Sequence, residues 1–427
     1  MKRSSFTPAV GLAVAATLTL AACSGSPEPA EPEGPITLTL SGWSLETTPE
    51  FQLLADSFHE ENPNVTVELV EYDPAEYNTL VTADLGAGSA PDIITQKEVK
   101  YVSVLVDGGQ LLDVSDVELP EGIGGASAYE VDGAQYAVPY RQDFWVLFYN
   151  QDMFDAAGVD YPDGSWTWDD YADAAGEIKE ATGKFGAYEH RWQSTTQGFA
   201  NAQADDADIF SGDYSYFEPY YERRLEMQAS GATVDYNTSK ANSLTYQGEF
   251  GTQNAAILPM GTWYVATLIA QQASGDSDTF NWGIAPAPQS DSSTTGLDNV
   301  PVTFGDPTGF GINAAISEEK VAAAKKFLAW AADEGAASAL AGIGITPALT
   351  NDTVAEAYFA LEGVPADDLS RFAWSTHDTK PENPTSGDTA AVQNILNTAL
   401  HDPVLALATS IADAVAAAKA QFEAEIG

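Results

Sequence analysis

Ile36, Leu38 and Leu40 alternate with Thr37, Thr39 and Ser41, the two-residue period of a strand with one buried face. Gly42-Trp43-Ser44 reads as a turn, and Thr48 as an N-cap with Pro49 at the first helical position and Glu50 near the positive end of the dipole. Phe51, Leu54, Ala55 and Phe58 then follow at helical spacing until Asn62-Pro63 stops the run. Val65, Val67 and Leu69 restore the strand period. Strand, helix, strand in this order predicts a β-α-β unit with parallel strands and a right-handed crossover. A helix over 77–85 leads to a short buried strand at Asp92-Ile93-Ile94.

The rhythm recurs downstream. Phe144–Tyr149 is an apolar strand; Thr167 caps a helix with Trp168, Tyr171, Ala172, Ala175 and Ile178 on its inner face, ended by Gly183. Ala255–Leu258 is a strand before a helix opening at Trp263. Phe310-Gly311-Ile312 is a strand before an Ala-rich helix from Ser317 to about Ala341. Residues 390–422 are helical. Alternating strands and helices predict an α/β fold, and 427 residues suffice for two cored lobes.

The first 35 residues follow different rules. Lys2 and Arg3 precede a mostly apolar stretch, Ala9–Ala22, that is short of the ~20 residues a permanent membrane helix needs. This is the pattern of a signal peptide, residues 1–22. It ends in Leu20-Ala21-Ala22-Cys23, which resembles the lipobox of bacterial lipoproteins. Cys23 is the sole cysteine of the chain, so no internal disulfide can form, and it is the expected lipidation site. Residues 24–35, SGSPEPAEPEGP, hold too little apolar surface to fold and read as a tether, giving 23–35 as lipidated cysteine plus linker.

Charge excludes more than it names. There are 63 acidic and 17 basic residues, a net charge of −46, which repels nucleic acid and anionic lipid. His59, His190, His377 and His401 are too scattered for a zinc signature, and neither a nucleophile elbow nor a P-loop occurs. Gly309-Phe310-Gly311-Ile312-Asn313-Ala314 fits a loose dinucleotide pattern, but its glycines fall within a strand rather than after one. Asp205, Asp206 and Asp208 lack the other ligands of a calcium loop and read as a solvated turn. No cofactor, resident metal or catalytic residue is expected.

Nine tryptophans supply the positive signal. Trp168, Trp282 and Trp330 fit core positions. Trp43, Trp192, Trp263 and Trp374 fall at strand ends, loops or helix starts, where flat rings can cover the apolar faces of sugars while carboxylates and amides take the hydroxyls.

Several segments, in order, carry a family likeness: Leu85-Gly86-Ala87-Gly88-Ser89-Ala90-Pro91-Asp92-Ile93, Asp132–Tyr140, Phe148–Phe154 with Ala157-Gly158 and Trp166-Thr167-Trp168, Met260-Gly261-Thr262-Trp263, and Ile345-Thr346-Pro347-Ala348. From Ile36 almost to the end the chain resembles extracellular solute-binding proteins of carbohydrate ABC importers, the group that includes maltodextrin-binding proteins. The resemblance implies an α/β, two-lobe periplasmic-binding-protein-like fold with a hinge and an interlobe cleft. It places lobe 1 at 36–142 plus 285–345 and lobe 2 at 143–284 plus 346–427. It implies ligand contacts from Trp43, Gln96, Asp143, Trp192, Trp263 and Trp374, with Asp306 added from the loop before the Phe310 strand. Nothing is carried over onto Glu189, His190 or Arg191. The implied protein is a lipid-anchored monomer on the outer face of the cell membrane that hands a sugar or oligosaccharide to ABC permease subunits. It would not be an enzyme. A secreted glycan-active enzyme and a binding protein for a peptide or other polar solute are the competing readings.

Overall fold

The computed structural model describes residues 34–46 and 49–427. Cys23, the signal peptide, most of the tether and Thr48 lie outside the described residues. Two open sheets organise the chain. In the first, the strands run in the order Val65–Tyr72, Ile36–Trp43, Ile93–Gln96, Pro307–Ile312, Val138–Gln142. The first three are mutually parallel, as the β-α-β pattern predicts. Pro307–Ile312 runs antiparallel to both of its neighbours. The second sheet has the order Trp282–Ala285, Trp145–Asn150, Ala255–Gly261, Phe185–Ala187.

Each sheet owns a core. Leu38, Leu40 and Ile93 meet Phe51, Leu54 and Phe58 of the helix Glu50–Glu61 and Phe327 and Leu328 of the helix Glu318–Ala331. Around the second sheet, Trp145, Phe148 and Ile257 pack with Tyr171, Ile178, Tyr264 and the C-terminal helices. Trp168, Trp282 and Trp330 are buried, as their positions predicted. The two cores together make a two-lobe α/β molecule.

Element ends differ from the pattern where one residue redirects the chain. The first strand runs on through Gly42 and Trp43 instead of turning there. The Ala-rich helix breaks after Ala331, because the carboxylate of Asp333 accepts the amide of Ala336 and starts a second helix, Glu334–Ala341. The C-terminal helix is likewise interrupted: a π-turn over Leu396–His401 precedes the short helix Asp402–Leu405, and Ser410 caps the final helix Ile411–Glu425.

Three passages connect the sheets, side by side. Only Asp143 and Phe144 separate the strand Val138–Gln142 from Trp145–Asn150 in the other sheet. Gly305 and Asp306 likewise separate Val302–Phe304, whose Phe304 ring stacks 5.0 Å from Trp145 in the second core, from Pro307–Ile312 in the first. The third passage is Ile345–Ala348: Gln142 donates its amide to Thr346 and Ala348 donates to Tyr140. The first two touch backbone to backbone, since a Cβ at Gly305 would lie 2.1 Å from the carbonyl oxygen of Asp143. Only glycine fits there.

Gly305→Ala must therefore push these passages apart. It is expected to lower stability by about 1–3 kcal/mol, the usual range for overpacking, read as a reduced urea midpoint. An unchanged midpoint would show that the passages can separate freely.

Candidate functional site

Between the sheets lies a cleft of about 1790 Å³ to which both contribute. Trp43 ends the first strand and stands at the cleft edge. Its ring meets Phe51 at 5.0 Å and Tyr77 at 5.1 Å, edge to face, and Lys97 Nζ sits 5.0 Å from the ring centroid. Across the cleft, Trp263 opens the helix Trp263–Ser274. Gly261 makes this possible: a Cβ there would fall 1.9 Å from the indole, so the ring can fold back over the strand end only above a glycine. Trp263 packs edge to face on Trp145 at 5.6 Å and lies 6.5 Å from Trp192, which is 40% exposed. Tyr246, 5.8 Å from Trp192, continues the aromatic wall.

A buried ionic network sits where the sheets meet. Arg141 Nη1 binds Glu50 Oε2 at 2.7 Å and Nε binds Asp143 Oδ2. Tyr140 donates its hydroxyl to the other oxygen of Glu50, and Thr262 donates to Asp143 Oδ1 at 2.7 Å. Burial works against the guanidinium charge, but the carboxylates of Asp143 and Glu50 more than offset it and hold Arg141 above its usual pKa. Asp143 thus lines the cleft, with each of its oxygens already engaged.

Asp306 also lines the cleft and also serves its own loop. It accepts from the amides of Glu382 and Asn383 and from Asn383 Nδ2 at 2.6 Å. Glu382 accepts from Ser194. Lys100 and Glu98 face this pair from the first lobe, with Tyr129 beyond Asp306. Burial pushes Asp306 up to about 6, and burial together with the Asp306 charge pushes Glu382 up to about 7.

Of the seven predicted contacts, the cleft brings together Trp43, Asp143, Trp192, Trp263 and Asp306. Two predictions are corrected. Gln96 shares the sheet face of Ile94 and is buried, with Nε2 donating to the Ile94 carbonyl; the strand ends at Gln96, and the next residue, Lys97, reaches the cleft instead. Trp374 lies on the inner face of the helix Asp368–Ser375, stacked 4.6 Å from Tyr358 inside the second core. Residues not foreseen include Lys97, Arg141, Tyr246 and Glu382. Arg141 had a legible signal, a lone cation directly after the apolar run Val138–Tyr140. Glu382 lies in a proline-rich loop with no pattern to reveal it.

Both raised carboxyls keep a proton in the folded chain at pH values where the unfolded chain has released it. Their contribution to stability is therefore greatest at low pH and declines as pH rises from about 4 through about 7. Between pH 5 and 7.5, the melting temperature of Glu382→Gln should fall less than that of the wild type. Parallel profiles would assign the decline to other groups.

Comparison with known proteins places this geometry. Residues 43–338 match the family model described as bacterial extracellular solute-binding protein. The arabinooligosaccharide-binding protein of Halalkalibacterium halodurans is 32% identical over 136 residues, 30% of this chain and 30% of that protein. The maltodextrin-binding protein of Bacillus subtilis is 32% identical over 146 residues, 34% of each chain. These matches span about a third of the relatives' lengths. The crystal structure of a Rhizobium etli sugar transporter in an open conformation superposes with a TM-score of 0.78 at 30% identity, covering 91% of this chain and 99% of that one. The chain belongs to the bacterial extracellular solute-binding protein family.

Proposed function

We propose that this protein captures a sugar or oligosaccharide outside the cell and delivers it to the permease of an ABC importer, without converting it. One observation carries the reading: an open cleft between two lobes is walled by tryptophans from both, Trp43 on one side and Trp192 and Trp263 on the other. The arabinooligosaccharide- and maltodextrin-binding relatives support it. Trp43, Asp143, Trp192, Trp263 and Asp306 are the proposed ligand-facing residues, with Tyr246 and Lys97 added. Lobe 1 would comprise 36–142 and 305–345. Residues 285–304 go with lobe 2, because Ala285 ends a strand of its sheet and Phe304 packs in its core. The lobes would close on the ligand and present a joint surface to the permease.

Among the described residues no helix is long and apolar enough to cross a membrane. We assign membrane attachment to lipid on Cys23, with the charge of the processed chain, −48 after loss of Lys2 and Arg3, keeping the body off anionic headgroups. Hydrolysis of a glycosidic bond needs two available carboxyls flanking it, whereas Asp143 and Asp306 are both engaged within the protein.

Thermal-shift screening against neutral oligosaccharides, with chromatography of the recovered sugar, tests the proposal. A ligand should raise the melting temperature by mass action and be recovered intact; cleavage, or no stabilisation by any sugar, would refute it. Trp263→Ala should weaken binding by about 1 to 3 kcal/mol, as buried aromatic anchors do. An unaltered dissociation constant by calorimetry would remove Trp263 from the site.

A further inference from the structure

Four consecutive residues of the cleft wall, Arg191, Trp192, Gln193 and Ser194, belong to no strand or α-helix. The segment 189–193 is irregular, and Ser194–Gly198 is a single π-turn. The amides of Thr195, Thr196 and Gln197 serve the carbonyls of Trp192 and Gln193, and the Thr195 hydroxyl reaches that of His190, but the other buried carbonyls need donors from outside the loop. Those donors come from beneath. Arg224, on the helix Glu218–Ser230, is 3% exposed and does not line the cleft. Its Nη1 donates to the hydroxyls of Thr195 and Thr196, both at 2.6 Å. Its Nη2 donates to the carbonyls of His190 at 2.7 Å and Glu189 at 3.2 Å. Its Nε lies 3.1 Å from Glu189 Oε2. Every one of these partners falls within residues 189–196.

We propose that Arg224 is a positioning residue for the ligand cleft, holding the Arg191–Ser194 wall, and Trp192 above all, at the setting in which it faces Trp263. This rests on the reading of the cleft as a saccharide site. A planar guanidinium presents its donors in a fixed fork. Here that fork fixes where two carbonyls and two hydroxyls of one loop sit relative to each other. A second strut comes from the same helix. Gln197 Nε2 donates to the Tyr221 hydroxyl, which lies 3.0 Å from His401 Nδ1, while His401 Nε2 lies 3.0 Å from the Arg191 carbonyl. A carbonyl can only accept, so His401 carries its proton on Nε2 and takes the Tyr221 hydrogen on Nδ1. Burial and the neighbouring Arg224 charge keep this imidazole neutral, as that arrangement requires. The outer helix thus reaches the cleft wall through Arg224 on one side and through Tyr221 and His401 on the other.

Arg224→Lys keeps the charge but replaces the fork with a single ammonium that cannot reach all these acceptors. Two readouts separate positioning from general support. In the ligand-free protein, hydrogen exchange of amides 190–197 should rise about tenfold or more, while the strand Trp145–Asn150 keeps its protection. With maltotriose and arabinotriose as probes, affinity for whichever stabilises the wild type should fall about tenfold or more. In a Trp192→Ala background the same substitution should cost less than about twofold, because the loop then has lost the ring it positions. Unchanged exchange at 190–197, or an undiminished affinity loss without Trp192, overturns the proposal. If Arg224→Lys does not fold, Thr196→Val keeps the guanidinium and removes one acceptor; it must reproduce the exchange pattern at smaller size, and an unaltered pattern counts equally against the proposal. Absence of saccharide binding by the wild type would refute the carbohydrate reading, leaving the exchange arm to decide the role of Arg224 alone.

Discussion

The contact on which the arrangement depends is the guanidinium of Arg141 between the carboxylates of Glu50 and Asp143. Glu50 begins a helix of the first lobe, Arg141 sits on that lobe's last strand before the crossing, and Asp143 is in the crossing itself. Thr262, which also binds Asp143, belongs to the second lobe. One cation therefore links both halves of the molecule through groups removed from water. Removing a single member of such a network leaves a buried charge without its partner, which is far costlier than losing a surface ion pair. The crossing keeps its shape because each charge in it is answered by another. Strand ends on either side are thereby fixed, and the cleft aromatics stand on those ends.

The cleft is made by placement more than by unusual side chains. Trp43 and Trp263 occupy equivalent spots, the points where an interior strand of each sheet gives way to the next element. Both rings are held edge-on by other aromatics, so the faces turned to the cleft are set before any ligand arrives, which reduces the ordering cost of binding. The charged groups beside them are mostly committed within the protein: Arg141 to two carboxylates, Lys100 to Glu98, Lys240 to Asp402. A wall of fixed rings and internally neutralised charge suits an uncharged polyhydroxy guest.

Much of this was legible because it is local. Alternation exposed the first strands, and Thr167, Gly183 and the Met260–Trp263 turn announced their elements through residues a few positions apart. What was not legible depended on parity or on distant partners. Gln96 and Lys97 differ by one position, and which of them reaches the cleft depends on where the strand stops. Trp374 lies on a short helix whose inner face is defined only by Tyr358, remote in the chain. Arg224 reads as one more charge on a polar helix, since its partners are mostly carbonyls and hydroxyls about thirty residues upstream, at positions that composition does not mark. Such contacts are written in three dimensions and leave no periodic trace.

The backbone pairing of the crossings ties all three to the first sheet. Strands 138–142 and 307–312 pair antiparallel with a bulge between Thr308 and Gly309, and the stretch 345–348 is hydrogen-bonded to Tyr140 and Gln142. The three passages therefore leave the first sheet together, bonded to one another at its edge strand. Only 143–144 and 305–306 intervene between the sheets in the first two passages, and these are held as well: Phe144 accepts the amide of Thr262 and Gly305 donates to the carbonyl of Lys380. The halves are thus joined as by a cable laid from three strands, each crossing braced by its neighbour, with the carboxylate of Asp143 beside it.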